Sequence, residues 1–132
     1  MSDDSQTLSE FKSKSGVKRI FSAFFYSVDG LRTAWRYEHA FRQELMLVVP
    51  GVIVASLLPV TVLERIALIS VLLLVLIVEL LNSAIEAVVD RVSLERNPLS
   101  KNAKDLGSAA VMLSMLIAAV TWGLIALPLL WK

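Results

Sequence analysis

The sequence contains no cysteine and only one histidine, with five glycines and four prolines among its 132 residues. Without cysteine the chain has no disulfide, no thiolate metal ligand and no cysteine nucleophile. The glycines form neither G-x-G-x-x-G nor G-x-x-x-x-G-K-[ST], the patterns that hold phosphates in dinucleotide-binding folds and P-loop enzymes. Any nucleotide site here must therefore hold phosphate in another way.

Net charge is also nearly absent, because 13 Lys and Arg residues stand against 12 Asp and Glu residues. With no basic stripe, the chain lacks the electrostatic footprint of a nucleic-acid-binding protein, and we expect no nucleic-acid partner. Residues 1–15 are polar and carry both charge signs. This pattern does not match a cleaved signal peptide, so we expect a mobile cytoplasmic tail over residues 1–15.

Long uncharged stretches dominate the rest of the chain, which is 56% hydrophobic. Residues 45–63 carry no charge, residues 66–89 carry two, and residues 106–131 carry none. A helix needs about 20 such residues to cross the hydrocarbon layer of a bilayer. The sequence therefore predicts an all-α, multi-pass membrane protein with a single membrane domain over residues 16–132 and spans at about 31–63, 66–91 and 102–131.

The cations lie mainly on one predicted side of the membrane. Eleven of the 13 precede the first span or lie between the second and third, which leaves Arg65 and Lys132 for the other side. Because positive loops stay inside, we expect the N-terminus and the 92–104 loop to be cytoplasmic.

An amphipathic helix at about 17–29 precedes the first span. Its apolar residues fall on one face at helical spacing, which is typical of a helix lying on a membrane surface. Gly30 is expected to end this helix. Pro98 is expected to end any helix continuing from the second span, with Ser100 or Asn102 capping the third.

The second span carries a polar stripe, a set of five side chains that share one helical face: Glu79, Asn82, Ser83, Glu86 and Asp90. Ionisable groups inside a membrane mark a functional site by default, although neutral carboxyls bonded between helices are an alternative. Oxygen ligands without His or Cys suit Mg²⁺. A proton or Na⁺ relay would use the same groups, but the outer halves of the spans lack charge. This favours a one-sided enzyme site over a transport path.

The run ELLNSAIEAVVD at residues 79–90 resembles the signature of the prokaryotic diacylglycerol kinases, which are small three-span membrane enzymes. The resemblance continues through GLRTAW at 30–35, Glu38, AFRQE at 40–44, Leu99-Ser100, AKD at 103–105 and GSAA at 107–110. It implies an Mg²⁺-dependent homotrimer in the bacterial inner membrane with sites between subunits. The implied reaction is phosphorylation of sn-1,2-diacylglycerol by ATP to give phosphatidic acid, in phospholipid recycling.

The resemblance also implies roles for individual residues. Glu79 is expected to be the general base, Asn82 to orient reacting groups, and Glu38 and Glu86 to bind the metal. The expected nucleotide contacts are Arg19, Tyr26, Glu38, Glu86, Glu95, Arg96, Asn97, Lys104 and Asp105. The expected lipid contacts are Arg19, Phe41, Arg42, Gln43, Glu44, Arg65, Glu79, Ser108 and Trp122.

One position departs from the family pattern, since Asn97 stands where some relatives carry a histidine. This departure bears on the adenine contact more than on the chemistry. Two other functions stay open at this point: an undecaprenol kinase of the same family, and a small ion-coupled transporter subunit that uses Glu79 and Glu86.

Overall fold

The computed structural model describes residues 16–132, so the expected tail at 1–15 lies outside the described residues. Four α-helices follow one another: α1 Gly16–Tyr37, α2 His39–Leu57, α3 Val62–Val92 and α4 Pro98–Ala126, with a short 3₁₀-helix at Leu127–Trp131. Three segments are long and apolar enough to cross a membrane, namely α2, α3 and α4 with its 3₁₀ extension. The predictions of an all-helical fold and three candidate spans are confirmed.

The first helix passes through Gly30, where the sequence predicted its end. The chain breaks at Glu38 instead, whose backbone is extended (φ −101°, ψ 105°). A glycine inside a helix costs only about 0.5–1 kcal/mol relative to alanine, and the good helix formers Leu31, Arg32 and Ala34 follow it. Gly30 has no positive φ, so it does not adopt the left-handed conformation by which glycine often ends a helix. The helix expected at about 17–29 is therefore longer than predicted, and the first candidate span is shorter.

The turn between α2 and α3 is closed by two sets of hydrogen bonds. Thr61 caps α3, because its hydroxyl accepts from the Glu64 backbone N–H while the Glu64 carboxylate accepts from the Thr61 backbone N–H. The Arg65 guanidinium donates to the carbonyl oxygens of Ala55 at 3.1 Å and Leu58 at 3.0 Å. Carbonyl groups at the end of α2 thus find donors in α3.

The cap of α4 is Asn97, and neither Ser100 nor Asn102 has this role. The Asn97 side chain accepts from the Leu99 backbone N–H at 2.8 Å. Pro98 then occupies the first helical turn, where its missing N–H removes no helical hydrogen bond. The proline predicted to end one helix therefore begins the next.

In the packing of the chain, α3 contacts both α2 and α4, and α1 contacts α2. One cluster of buried apolar side chains joins the first three helices: Ala34, Phe41, Val48 and Leu76. On the other side, the Trp122 indole N–H donates to the Leu68 carbonyl at 3.2 Å, which links α4 to α3. Most of the apolar surface of the three spans stays exposed in the single chain, so it must face lipid or further protein.

Candidate active site

The polar stripe of α3 runs from the interior of the helix bundle to its surface. Glu79 and Asn82 are 5% and 9% exposed, Ser83 and Glu86 are half-buried, and Asp90 is exposed. The helix is regular over this range, so these positions return to one face at each turn. The structure thus brings the predicted catalytic pair Glu79 and Asn82 together in the interior, with Glu86 nearer the surface.

A second buried carboxyl faces Glu79 from α2. Glu44 is 6% exposed and lies within interaction range of Glu79, and its Oε2 atom has no hydrogen-bond partner among residues 16–132. Two buried carboxyls at such close range repel each other when both are charged. The residue predicted as a lipid contact therefore lies beside the predicted base.

The two expected metal ligands belong to different elements, and one of them, Glu86, is part of the stripe itself. Glu38 occupies the break between α1 and α2, and Glu86 lies on α3. Both carboxylates are close enough to Glu79 to interact with it electrostatically. The salt bridges found within residues 16–132 involve neither of these carboxylates. Both are therefore available for a cation.

The donor set decides which cation fits. In the described part of the chain, no group of three His, Cys, Asp or Glu residues is placed to hold a metal by itself. Mg²⁺ seldom needs such a group, because it retains water and usually takes one or two protein carboxylates together with substrate phosphates. Glu38 and Glu86 suit Mg²⁺ delivered with a nucleotide.

Asn82 lies between Glu86, an expected metal ligand, and the next helix. Its Nδ2 donates to Glu86 Oε1 at 3.4 Å, while its Oδ1 lies against Gly107 of α4 and finds no hydrogen-bond partner in the described region. Gly107 is buried, and a Cβ atom there would overlap Asn82 Oδ1. A side chain larger than hydrogen at residue 107 would displace the amide.

A cleft of about 740 Å³ opens where α3 meets α4 through the 93–97 loop. It is lined by five of the predicted nucleotide contacts, namely Glu95, Arg96, Asn97, Lys104 and Asp105, and also by Asp90. Lys104 forms an ion pair with Asp90 at 2.7 Å, and Lys101 pairs with Asp105 within α4. Arg19 and Tyr26 lie exposed on α1 and do not line this cleft. Glu38 and Glu86 do not line it either. The structure thus gathers five of the nine expected nucleotide contacts in one cleft.

The expected lipid contacts are not gathered into one pocket. Phe41 is buried and lines an apolar groove of about 920 Å³ between α1, α2 and α3. Ser108 is exposed on α4, and the indole N–H of Trp122 is bonded to the backbone of α3. Phe41 and Trp122 thus line different pockets of the single chain, and Ser108 lines neither of them.

Two of the three arginines among these contacts, Arg42 and Arg65, bond to the backbone. Arg42 Nη1 donates to the carbonyl oxygens of Trp35 at 2.9 Å and Arg36 at 3.1 Å, which are left free at the end of α1. The His39 ring lies between the side chains of Arg42 and Gln43, at 3.3 and 3.2 Å. Since Arg65 bonds in the same way at the end of α2, both arginines fix helix ends in this structure.

The helical fold and the carboxyl-lined face agree with the comparison with known families. The family model described as Prokaryotic diacylglycerol kinase matches residues 25–126. The chain belongs to the prokaryotic diacylglycerol kinase family, as the sequence predicted.

Individual relatives cover nearly the whole chain. The diacylglycerol kinase of Pseudomonas aeruginosa is 57% identical over 119 residues, which are 90% of this chain and 97% of that protein. The diacylglycerol kinase of Escherichia coli K12 is 50% identical over 117 residues, 89% of this chain and 93% of the relative. The Helicobacter pylori 26695 protein of the same name is 44% identical over 117 residues, with 89% and 91% coverage.

Proposed function

We propose that this chain is an ATP-dependent lipid kinase that phosphorylates the free hydroxyl of sn-1,2-diacylglycerol and yields phosphatidic acid for phospholipid recycling. The diacylglycerol kinase class rests on the family and on relatives of 50–57% identity over about nine tenths of the chain. Within the structure, the proposal is carried by one observation: the buried carboxyl of Glu79 lies on the same helix face as Glu86, which precedes by one turn Asp90 in the wall of a cleft that carries cationic side chains.

Glu79 acts as the general base in this proposal. A lipid hydroxyl is a weak nucleophile, and its proton moves to the Glu79 carboxylate as its oxygen bonds to the γ-phosphorus and the bond to ADP breaks. Burial at 5% exposure keeps water away from this carboxylate and holds its side chain in place. Asn82, bonded to Glu86, orients the reacting groups next to the base.

Glu38 and Glu86 would hold Mg²⁺, which when bound would supply positive charge to neutralise the negative charge on the phosphates. Lys104 contacts the phosphates, since its ammonium lies in the same cleft as the loop residues 95–97. Asp105 lines the same cleft. Arg19 and Tyr26 contact the nucleotide from α1. The lipid lies beside Glu79 with Phe41, Arg42, Gln43, Glu44, Arg65, Ser108 and Trp122 as its remaining contacts.

The active form is a homotrimer whose sites lie between subunits. The exposed apolar surface of the three spans and the half-buried Glu86 support this, because a single chain covers neither. A helix from a neighbouring subunit would cover the stripe, and that helix would not need to carry a charged side chain.

The protein crosses the bacterial inner membrane with its N-terminus and the 92–104 loop in the cytoplasm, where ATP is available. The arrangement follows from the eleven cations on that side. The cleft and the exposed end of the stripe, at Asp90, then lie at the cytoplasmic interface.

Transfer of label from [γ-³²P]ATP tests the function and the substrate together. The purified chain in detergent micelles is supplied with Mg²⁺ and either diacylglycerol or undecaprenol. Label in phosphatidic acid is expected. Preferential label in undecaprenyl phosphate would overturn the substrate, and label in neither lipid would overturn the kinase function and leave the ion-coupled transporter as the alternative to examine.

A further inference from the structure

A glycine of α4 packs against an amide of α3 in the site. Gly107 is buried, and a Cβ atom added to it would overlap Asn82 Oδ1 and come within 3.2 Å of Asn82 Cγ. Asn82 itself is only 9% exposed, so its side chain has little room to move aside. The hydrogen at residue 107 is therefore what allows the present position of the Asn82 amide.

The contact fixes the direction of the amide as well as its place. Asn82 Nδ2 points to Glu86 Oε1 at 3.4 Å, whereas Oδ1 points to the backbone of Gly107. The reverse orientation would set the amide oxygen against the Glu86 carboxylate, and two acceptors repel. One Glu86 oxygen is thus bonded by Asn82, and no residue of the described region hydrogen-bonds the other.

We infer that Gly107 is a positioning residue, which acts through Asn82 to orient the metal-binding carboxylate of Glu86. This inference rests on the proposed role of Glu86 as an Mg²⁺ ligand. Carboxylates that bind metals are usually held by a hydrogen bond from a neighbouring group, and loss of that bond typically lowers metal affinity by 10–100-fold. Gly107 contributes no ligand atom; it provides the space in which the orienting amide fits.

Two other glycines give a contrast within the same chain. At Gly123, also on α4, an added Cβ would meet only Leu127 Cδ1, at the ordinary distance of 3.9 Å. At Gly51 the added Cβ would approach the flexible end of Leu72, at 2.7 Å. Only the Gly107 position, among these three, sets a new methyl group against a polar side chain of the stripe.

The test is a double-mutant cycle of Gly107→Ala and Asn82→Ala, with Gly123→Ala as the matched control. Binding is measured by electron paramagnetic resonance of Mn²⁺ in the presence of the β,γ-methylene analogue of ATP, so that no turnover is needed. Thermal unfolding of each variant in the same micelles, without metal, reports on packing. The wild-type chain is assayed separately for phosphate transfer to diacylglycerol, so a failure of the proposed function is seen independently.

We expect Gly107→Ala to weaken Mn²⁺ binding about tenfold or more, and Gly123→Ala to leave it unchanged. In the Asn82→Ala background the added methyl has no amide to displace, so Gly107→Ala should cause no further loss of affinity. Wild-type affinity in Gly107→Ala, or an equal loss in both backgrounds, would overturn the inference.

The cycle remains decisive if Gly107→Ala alone does not fold. In that case Asn82→Ala and the double variant are compared, and the inference expects equal Mn²⁺ affinities and a double variant that unfolds at no lower temperature, because alanine is a better helix former than glycine. A double variant that also fails to fold would show that Gly107 serves helix packing in general, and the inference would be wrong.

Discussion

Lys104 Nζ lies 2.7 Å from Asp90 Oδ1, and this ion pair joins α4 to α3 at the cleft below the 93–97 loop. The two side chains are 42% and 47% exposed, so the pair is screened by solvent and adds little to stability. An ammonium group has three donor hydrogens, of which Asp90 uses one. Lys104 is therefore held at the cleft with donors left for a phosphate.

Lys104→Met is expected to raise the KM for ATP by about tenfold or more, because it removes a charge-assisted hydrogen bond to the nucleotide. The unfolding temperature should change little, since the lost ion pair is half exposed. Steady-state kinetics at varied ATP, with thermal unfolding in micelles, measure both effects. Lys132→Met removes the same charge outside the cleft and serves as the control; equal KM values for the two variants would refute the assignment.

Glu86→Gln should raise the Mg²⁺ concentration needed for half-maximal activity, because the substitution replaces a charged oxygen ligand by a neutral one. Added Mg²⁺ should restore part of the lost activity, since mass action favours the weakened site. Activity is measured over a range of free Mg²⁺ at saturating ATP. An unchanged Mg²⁺ requirement would remove Glu86 from the metal site.

Thr61→Ala should lower the free energy of unfolding by about 1 kcal/mol, because it removes the N-terminal cap of α3. The activity of the folded fraction should stay the same, since Thr61 lies at the end of α3 opposite Glu86. Unfolding in mixed micelles measures the loss. Ser56→Ala is the control, because that hydroxyl bonds only a carbonyl within its own helix. Lost turnover in Thr61→Ala at unchanged stability would contradict the assignment of Thr61 as a helix cap that takes no part in the reaction.

The arrangement of helices follows largely from hydropathy and helical periodicity. Apolar runs long enough to span a bilayer predict α2, α3 and α4, and the spacing of Glu79, Asn82 and Glu86 predicts their common face. These are local properties of the sequence. The pattern Thr61-Val62-Leu63-Glu64 also matches a capping box, which could have placed the start of α3 from the sequence.

Features that depend on contacts between distant residues could not be predicted in this way. The bonds of Arg42 and Arg65 to free helix carbonyls require the positions of both helix ends. The burial of Glu44 against Glu79, and of Gly107 against Asn82, requires the packing of α2 and α4 on α3. Gly30 was misleading because glycine is tolerated inside a helix at a small cost.

Subunit mixing tests whether sites are shared between chains. If Glu79 and Glu86 come from one subunit and Glu38 from another, inactive Glu38→Ala chains and inactive Glu79→Gln chains should regain activity when mixed, since some sites then carry neither change. Activity is measured against mixing ratio after dissociation and reassembly. Mixed oligomers that are shown by crosslinking but stay inactive would mean that each chain builds its own site.

Whether Glu79 is the general base is tested by the turnover of Glu79→Gln in the transfer of ³²P from ATP to diacylglycerol. Glutamine keeps the shape of the buried side chain and removes its ability to accept the hydroxyl proton. We expect a fall in kcat of about 10² or more with a nearly unchanged unfolding temperature. A kcat within a few-fold of the wild-type value, in protein shown to be folded, would contradict the role of Glu79 as the base.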